Sequence, residues 1–365
     1  MRPILPGRLI LKPRHFPPKR TVASSDMNPE VNRMSLATRP AVLLATATVA
    51  ASLLVAPGAA WAADTTTTLT AAEMRTALRT VGTASTSAGA GGWRAVTDFS
   101  LSAAGETMTI KDTVMVDPVL GRFGEVTAVS GYGTESSFAA EGQGVWTQAD
   151  TEQVKALRMM GKSAVKYVFA ADKKLKLAEF VKDSAFDSAS LVEYYSIPGT
   201  KTVHDDGTID YKVTENDQKV TVLIHTTAAS VLTGVELSST SSKATVGFTY
   251  AAQTVTLPAA ATVLDVATVN RGVAYLDMAA TVKLAATKGA ASTRAAAKGR
   301  TVKVASLRKL VRRDVTTANR AAGVTMVKVK DVSGGVRVSA TNPWTKSTVT
   351  YSVKASGRKV LVKKL

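Results

Sequence analysis

No cysteine occurs in this chain. That absence excludes disulfides, thiolate metal sites, thiol nucleophiles and a lipid anchored on cysteine. Histidine is nearly as scarce, with only His15, His204 and His225. Aromatic residues make up 5% of the chain, which speaks against a stacking platform for single-stranded nucleic acid. The apolar run from Ala41 to Ala56 is shorter than the roughly 20 residues of a membrane-spanning helix. Acidic residues all but vanish toward the C-terminus: Val269 to Leu365 holds 3 Asp and Glu against 21 Lys and Arg, a net of +18.

What is present begins with that apolar run. Arg39 precedes it, Pro57-Gly58 breaks it, and Ala60-Trp61-Ala62 follows. A charged flank, a short apolar core and small residues at the exit make residues 34–63 a Sec-type signal, cleaved near Ala62 or Ala63. Residues 1–33, with "KPRHFPPKR", read as a basic leader or a misplaced start, leaving Met27 and Met34 both open. The remainder, about 300 residues, is long enough for two domains. Asp64 to Thr268 carries 17 Lys and Arg against 23 Asp and Glu, a net of −6. Its opposite sign from the C-terminal part divides the chain into modules 64–268 and 269–365, the second facing an anionic partner.

"ADTTTT" reads as a polar linker. In "LTAAEMRTALRTV", Thr70 with Glu73 forms a capping box and Leu69 with Met74 a hydrophobic staple, so a helix starts there and fades into "GTASTSAGAGG". Period-two alternation follows. "ETMTIKDTVMV" puts Met108, Ile110, Val114 and Val116 on one face; "KVTVLIHT" and "TVGFTY" do the same with Val222, Ile224, Val246 and Phe248. Turn signals at Ala104-Gly105, Gly131–Gly133, Gly142–Gly144 and Asp206-Gly207 separate the runs. "EQVKALRMMGK" and "LKLAEFVKDSAFDSASLVEYY" flank the strand "AVKYVFA" as short helices. The fold class is α+β, built on a single antiparallel sheet with one dry and one solvated face. In the basic part, an Ala-rich helix bearing Tyr275, Met278 and Val282 precedes "SLRKLVRRDV", a short helix with Leu307, Leu310 and Val311 on one face. Three or four strands close the chain.

The order of helix, long hairpins, "EGQGVWTQAD", "KYVFA" and a last unit "KATVGFTYAAQTVTLPAAATVLD" resembles the LolA-like and LppX/LprG-type envelope lipoproteins. The resemblance covers residues 64–268 and reads the last unit as the closing strand pair with its Val-x-x-Pro run. It implies a curved antiparallel sheet, a half-barrel plugged by helices, that carries lipids or acyl chains. Many actinobacterial members have a lipidated cysteine where Ala63 or Asp64 stands, and the family lacks a basic tail domain. Helix, short helix and small meander in 269–365 resembles, more faintly, the soluble head of type IV pilin-like proteins.

Met108, Ile110, Val114, Val116, Phe138, Trp146, Val222, Ile224, Val246 and Phe248 would pack as core in any α+β domain; the resemblance makes them candidate lining of a ligand groove. Met159 and Met160, on a short helix, read as a gap filler or as an adaptable lid for acyl chains. Arg308, Lys309, Arg312 and Arg313, with Lys328, Lys330, Lys363 and Lys364, are the candidates for binding an anionic membrane or wall polymer. His204 lies at the Asp206-Gly207 turn and His225 on a strand, so neither announces a metal site. Glu125, Glu135, Glu141 and Asp150 are carboxylates that could meet as a hydrolytic pair. The expectation is an exported, non-enzymatic envelope protein that binds or carries a lipid, without cofactor or specific nucleic acid. The rivals are a structural or adhesive wall protein and a carboxylate hydrolase of wall polymers.

Overall fold

The computed structural model describes residues 64–365 except 104–105, 184–186, 194, 196 and 216–218. The leader and signal expected in residues 1–63 lie outside the described residues, as does the turn expected at Ala104-Gly105.

The first helix, α1 (Ala71–Ala88), starts where its capping box places it. Glu73 N donates to Thr70 Oγ1 at 3.3 Å and Thr70 N to Glu73 Oε2 at 2.8 Å. Met74, Leu78 and Val81 are buried. The helix does not fade after Val81 but runs through the Ser/Thr stretch, because the hydroxyls bond back along it. Ser85 donates to Val81 O at 2.7 Å and Thr86 to Gly82 O at 2.8 Å, so the hydroxyls, including that of buried Ser85, are satisfied within the helix.

Thirteen strands form one sheet. They are β1 (Thr65–Leu69), β2 (Trp93–Ala103), β3 (Glu106–Asp117), β4 (Arg122–Val129), β5 (Gly133–Ala140), β6 (Gly144–Gln148), β7 (Tyr167–Ala171), β8 (Gly199–Val203), β9 (Ile209–Glu215), β10 (Val220–Thr226), β11 (Leu232–Ser238), β12 (Ser242–Tyr250) and β13 (Val263–Asp265). Their spatial order is β1-β8-β9-β10-β11-β12-β2-β3-β4-β5-β6-β7-β13. Every neighbouring pair is antiparallel except β7 with β13. The edges β1 and β13 do not pair with each other, so the sheet is not closed into a barrel. The polar "ADTTTT" is therefore no linker: its β-branched threonines form edge strand β1 against β8.

The last unit of the large domain departs from a closing strand pair. β12 pairs with β2, then residues 251–262 run without a strand to the opposite edge and end in β13. On the way Val255 is fully buried, and Arg122 Nη1 donates to its carbonyl at 3.2 Å. A Cβ on Gly124 would stand 3.2 Å from Val255 Cγ1, so glycine there lets this segment pack closely on β4.

Short helices α2 (Thr151–Met159), α3 (Leu177–Asp183) and α4 (Ser188–Glu193) interrupt the strands where expected. The C-terminal part holds α5 (Val266–Leu276), α6 (Met278–Ala297), α7 (Val304–Ala322) and a separate sheet of β14 (Lys328–Val332), β15 (Gly335–Thr341), β16 (Thr348–Ser356) and β17 (Lys359–Lys364), in that order. The expected Ala-rich helix is broken at Asp277 into α5 and α6. Residue 268, the expected module boundary, sits inside α5, whose Val269 packs with Leu157 of α2 and Val168 of β7. α7 is longer than expected and buries Leu307, Val311 and Val315 at i, i+4, i+8. Helices α6 and α7 cover one face of the small sheet, burying Val336, Val338 and Val353.

Candidate functional site

Pairing register decides which predicted groove residues share a face, because residues directly opposite in a sheet point the same way. Val114 faces Glu125, which faces Ser137, which faces Thr147. Val114, Val116, Val222, Ile224, Val246 and Phe248 lie together on the face covered by α1 and are at most 8% exposed. They form packed core with Met74, Leu78 and Val81. Phe138 and Trp146 have the opposite parity, a correction to their assignment as groove lining. Trp146 pairs with Phe169 at a ring distance of 4.6 Å, and Phe138 with Tyr167 at 5.7 Å, on the far face. That face is consequently not the uniformly solvated one expected.

Met159 and Met160 are not a lid over this core. Asn342 Nδ2 of the small domain donates to Met159 Sδ at 3.0 Å. Met160 is buried against Gly272 of α5, where an added Cβ would collide with its sulfur. Both fill the joint between the two modules, beside the Tyr275–Trp344 edge contact at 5.4 Å.

Met108 and Ile110 occupy the α1 side of β3 but beyond the helix. Ile110 pairs with Phe99 and Val129, and Met108 with Leu101. All five are partly exposed and belong to none of the packed clusters among the described residues. An apolar strip therefore lies on the core face at the hairpin ends of β2, β3 and β4, parted from the core by the polar row Thr97, Asp112 and Thr127.

Between core and strip sits Asp112, a residue sequence reasoning missed. It is fully buried, accepts from Thr127 Oγ1 at 2.8 Å through Oδ1, and its Oδ2 has no hydrogen-bond partner. Burial, reinforced by the nearby Glu125 charge, raises its pKa from 3.8 to about 6. Glu125 itself accepts from Ser137 Oγ at 3.0 Å. The other carboxylates considered with it do other things: Asp150 caps α2, and Glu141 lies at the turn against Gly121. A carboxyl as enclosed as Asp112 is not presented to a polymer substrate.

The two described histidines meet. Asp210 pairs with His225 across β9 and β10, and its carboxylate lies 2.8 Å from His225 Nδ1 and 3.2 Å from His204 Nε2. His204 Nδ1 is 2.9 Å from Asp64 Oδ2. Both His204 nitrogens thus face carboxylates, which only the doubly protonated ring can donate to. The bonds to Asp210 and then Asp64 hold its pKa above the ordinary histidine value. His204, Asp210 and His225 border an open cleft of about 450 Å³. Among the described residues no group of three or more His, Cys, Asp or Glu is arranged to hold a metal ion.

The predicted anionic-surface residues divide as well. Arg308 Nη2 donates to Val332 O at 3.0 Å, and Arg312 Nη2 to Asp331 Oδ1 at 2.8 Å. Arg313 bonds the buried Asp314 at 2.9 Å and Ser292 Oγ at 3.2 Å. Three of the four predicted α7 cations are thus held by hydrogen bonds, while Lys309 is exposed. Lys328, Lys330 and Lys363 are exposed on the helix-free face of the small sheet; Lys364, paired with Tyr351, has the other parity.

No helix among the described residues is long and apolar enough to cross a membrane. No protein family and no curated protein matches the chain. Among the solved structures that match, two align with about half of it. One is an uncharacterized conserved protein from Thermus thermophilus, at 10% identity, covering 51% of this chain and 96% of that one with a TM-score of 0.26. The other is a DUF1329 family protein from Desulfovibrio piger, at 7% identity, covering 50% and 95% with a TM-score of 0.22. Scores this low carry no argument about function, and neither description bears on a pilin head.

Proposed function

We propose that the chain is an exported, non-enzymatic envelope protein. Its large domain, a LolA-like half-barrel, holds a lipid or acyl chain, and its basic domain rests on an anionic surface. The observation that carries this reading is the strip of Phe99, Leu101, Met108, Ile110 and Val129, apolar yet partly exposed on the core face of the sheet. An acyl chain laid along it would gain about 0.8 kcal/mol per buried methylene. The packed face under α1 supports a second reading, a solid-cored wall protein, and confines any ligand to the hairpin end. The test is to purify the chain from Asp64 onward from a host supplied with envelope lipids, wash it in high salt, and weigh its solvent extract by mass spectrometry. A stoichiometric lipid that is lost on Ile110→Arg, with the circular dichroism spectrum intact, is the expected result. A clean extract from the unmodified chain refutes the carrier reading and leaves the solid-cored one.

A further inference from the structure

The helix-free face of the small sheet carries its cations in register. Lys330 pairs with Arg337, Arg337 with Ser352, and Ser352 with Lys363, so one row crosses all four strands. Flanking rows add Lys328 opposite Ser339, Lys354 opposite Gly335 and Lys359 opposite Ser356. All six cations are exposed. The one acidic residue of these strands, Asp331, has the opposite parity and is bound by Arg312. With strands about 4.8 Å apart, the row is about 14 Å wide, and helices α6 and α7 pack only on the reverse face. The result is a surface of lysines and one arginine with no Asp or Glu among its strand residues.

Val332, opposite Gly335, is a partly buried apolar residue on this face, and two leucines stand exposed at its far edge. Leu361 pairs with Lys354, lies between Lys359 and Lys363 along β17, and is 54% exposed. Leu365 beyond it is 59% exposed, its N–H bonded to Thr350 O at 3.0 Å. A soluble polyanion gains from the cations and hydroxyls and nothing from the leucines. A bilayer surface gains from both, since lipid headgroups meet the cations while an apolar side chain enters the headgroup layer.

We infer that this sheet face is a membrane-docking surface for anionic phospholipid, with Leu361 as its apolar contact and Lys330, Arg337 and Lys363 as the central row. The inference rests on the anionic-surface half of the function proposed above and is independent of what the apolar strip holds.

The test is co-sedimentation of the chain from Asp64 onward with vesicles of phosphatidylcholine plus phosphatidylglycerol, against phosphatidylcholine alone. Soluble polyphosphate is the comparison anion. Binding to the anionic vesicles and to polyphosphate, but not to phosphatidylcholine alone, is expected. Each cation near such a surface is worth about fivefold in partitioning, so the double variant Lys330→Glu/Lys363→Glu loses at least about thirtyfold. The charge-matched Lys283→Glu/Lys288→Glu, on exposed positions of α6, loses much less. Leu361→Ser weakens vesicle binding and leaves polyphosphate binding unchanged. Equal loss in the two double variants overturns the assignment of the face. Polyphosphate binding with no vesicle binding, or vesicle binding indifferent to Leu361→Ser, replaces the bilayer with a soluble polymer and leaves the anionic-surface reading standing. Binding to neither anion refutes both.

Discussion

Replacing Asp112 by asparagine should stabilise the large domain, and only above a defined pH. The carboxyl is fully buried with one oxygen unpartnered, and its pKa stands at about 6 against an ordinary 3.8. Near pH 4 and below, folded and unfolded chains both hold the proton, so the side chain adds no pH dependence. Between about 4 and 6 the folded chain keeps a proton that the unfolded chain has released, and stability falls as pH rises. Above about 6 the loss levels off at roughly 3 kcal/mol, from a shift of about 2 units at 1.36 kcal/mol each. The asparagine side chain of Asp112→Asn is neutral throughout and keeps an acceptor for Thr127. Its amide N–H needs a partner, which Glu125 can supply imperfectly, so a net gain of about 1–3 kcal/mol is expected at neutral pH. Urea denaturation of both chains across this pH range, compared as a difference, cancels the other carboxylates. Hydrogen exchange of β3 and β4 amides reports the large sheet apart from the small domain. A difference that does not change with pH, or a less stable variant at neutral pH, refutes the reasoning.

The helix crossing of the small domain makes a contrasting case. A Cβ on Gly289 would stand 2.9 Å from Val311 Cγ2 and 3.0 Å from its Cα. Gly289→Ala must therefore push α6 from α7, destabilising by about 1–3 kcal/mol despite better helix propensity. At Gly272 the obstacle is the flexible Met160 side chain, so Gly272→Ala should lower the calorimetric midpoint less than Gly289→Ala; the reverse order would contradict both contacts. At the edge of the large sheet, His204 has its pKa raised by Asp210 and Asp64. Its stabilisation of β1 is fully present below the ordinary histidine value and is lost as pH rises through the raised one. Amide protection of Thr65–Leu69, corrected for base catalysis, should fall over that range, and His204→Gln should flatten the dependence.

Local signals were legible and relations between strands were not. Thr70 with Glu73 starts α1 because capping is settled within four residues, and Asp150 with Gln153, which starts α2, is a signal of the same kind that reading Asp150 as a hydrolytic carboxylate passed over. The phase of β3 was equally readable from Met108 to Val116. Asp112 sits in that same apolar phase, and a carboxylate inside an apolar series is a signal the sequence does carry. Phe138 and Trp146 show the limit. Aromatic character says that a side chain will be buried but not on which face, and the face follows from register handed across three hairpins. His204 and His225 are a second instance: the Asp206-Gly207 turn explained the first in isolation, yet pairing of β9 with β10 brings both to Asp210.

Charge asymmetry announced a basic module, but not which of its charges are free. The dense "RKLVRR" of α7 looked like the surface to offer an anion. A guanidinium carries forked donors that suit carboxylates and carbonyls held at fixed positions. Arg308, Arg312 and Arg313 take up Val332 O, Asp331 and Asp314 accordingly, consuming two of the three acids C-terminal to Thr268. With those acids bound on the helix side, the strands present no Asp or Glu on the opposite face of the sheet. There the alternation of β14, β15, β16 and β17 turns mostly lysines outward, as mobile point charges without partners to fix them. The arginines that hold the domain together thus leave its lysine face uncompensated, and an anionic partner has most to gain on the side away from the helices.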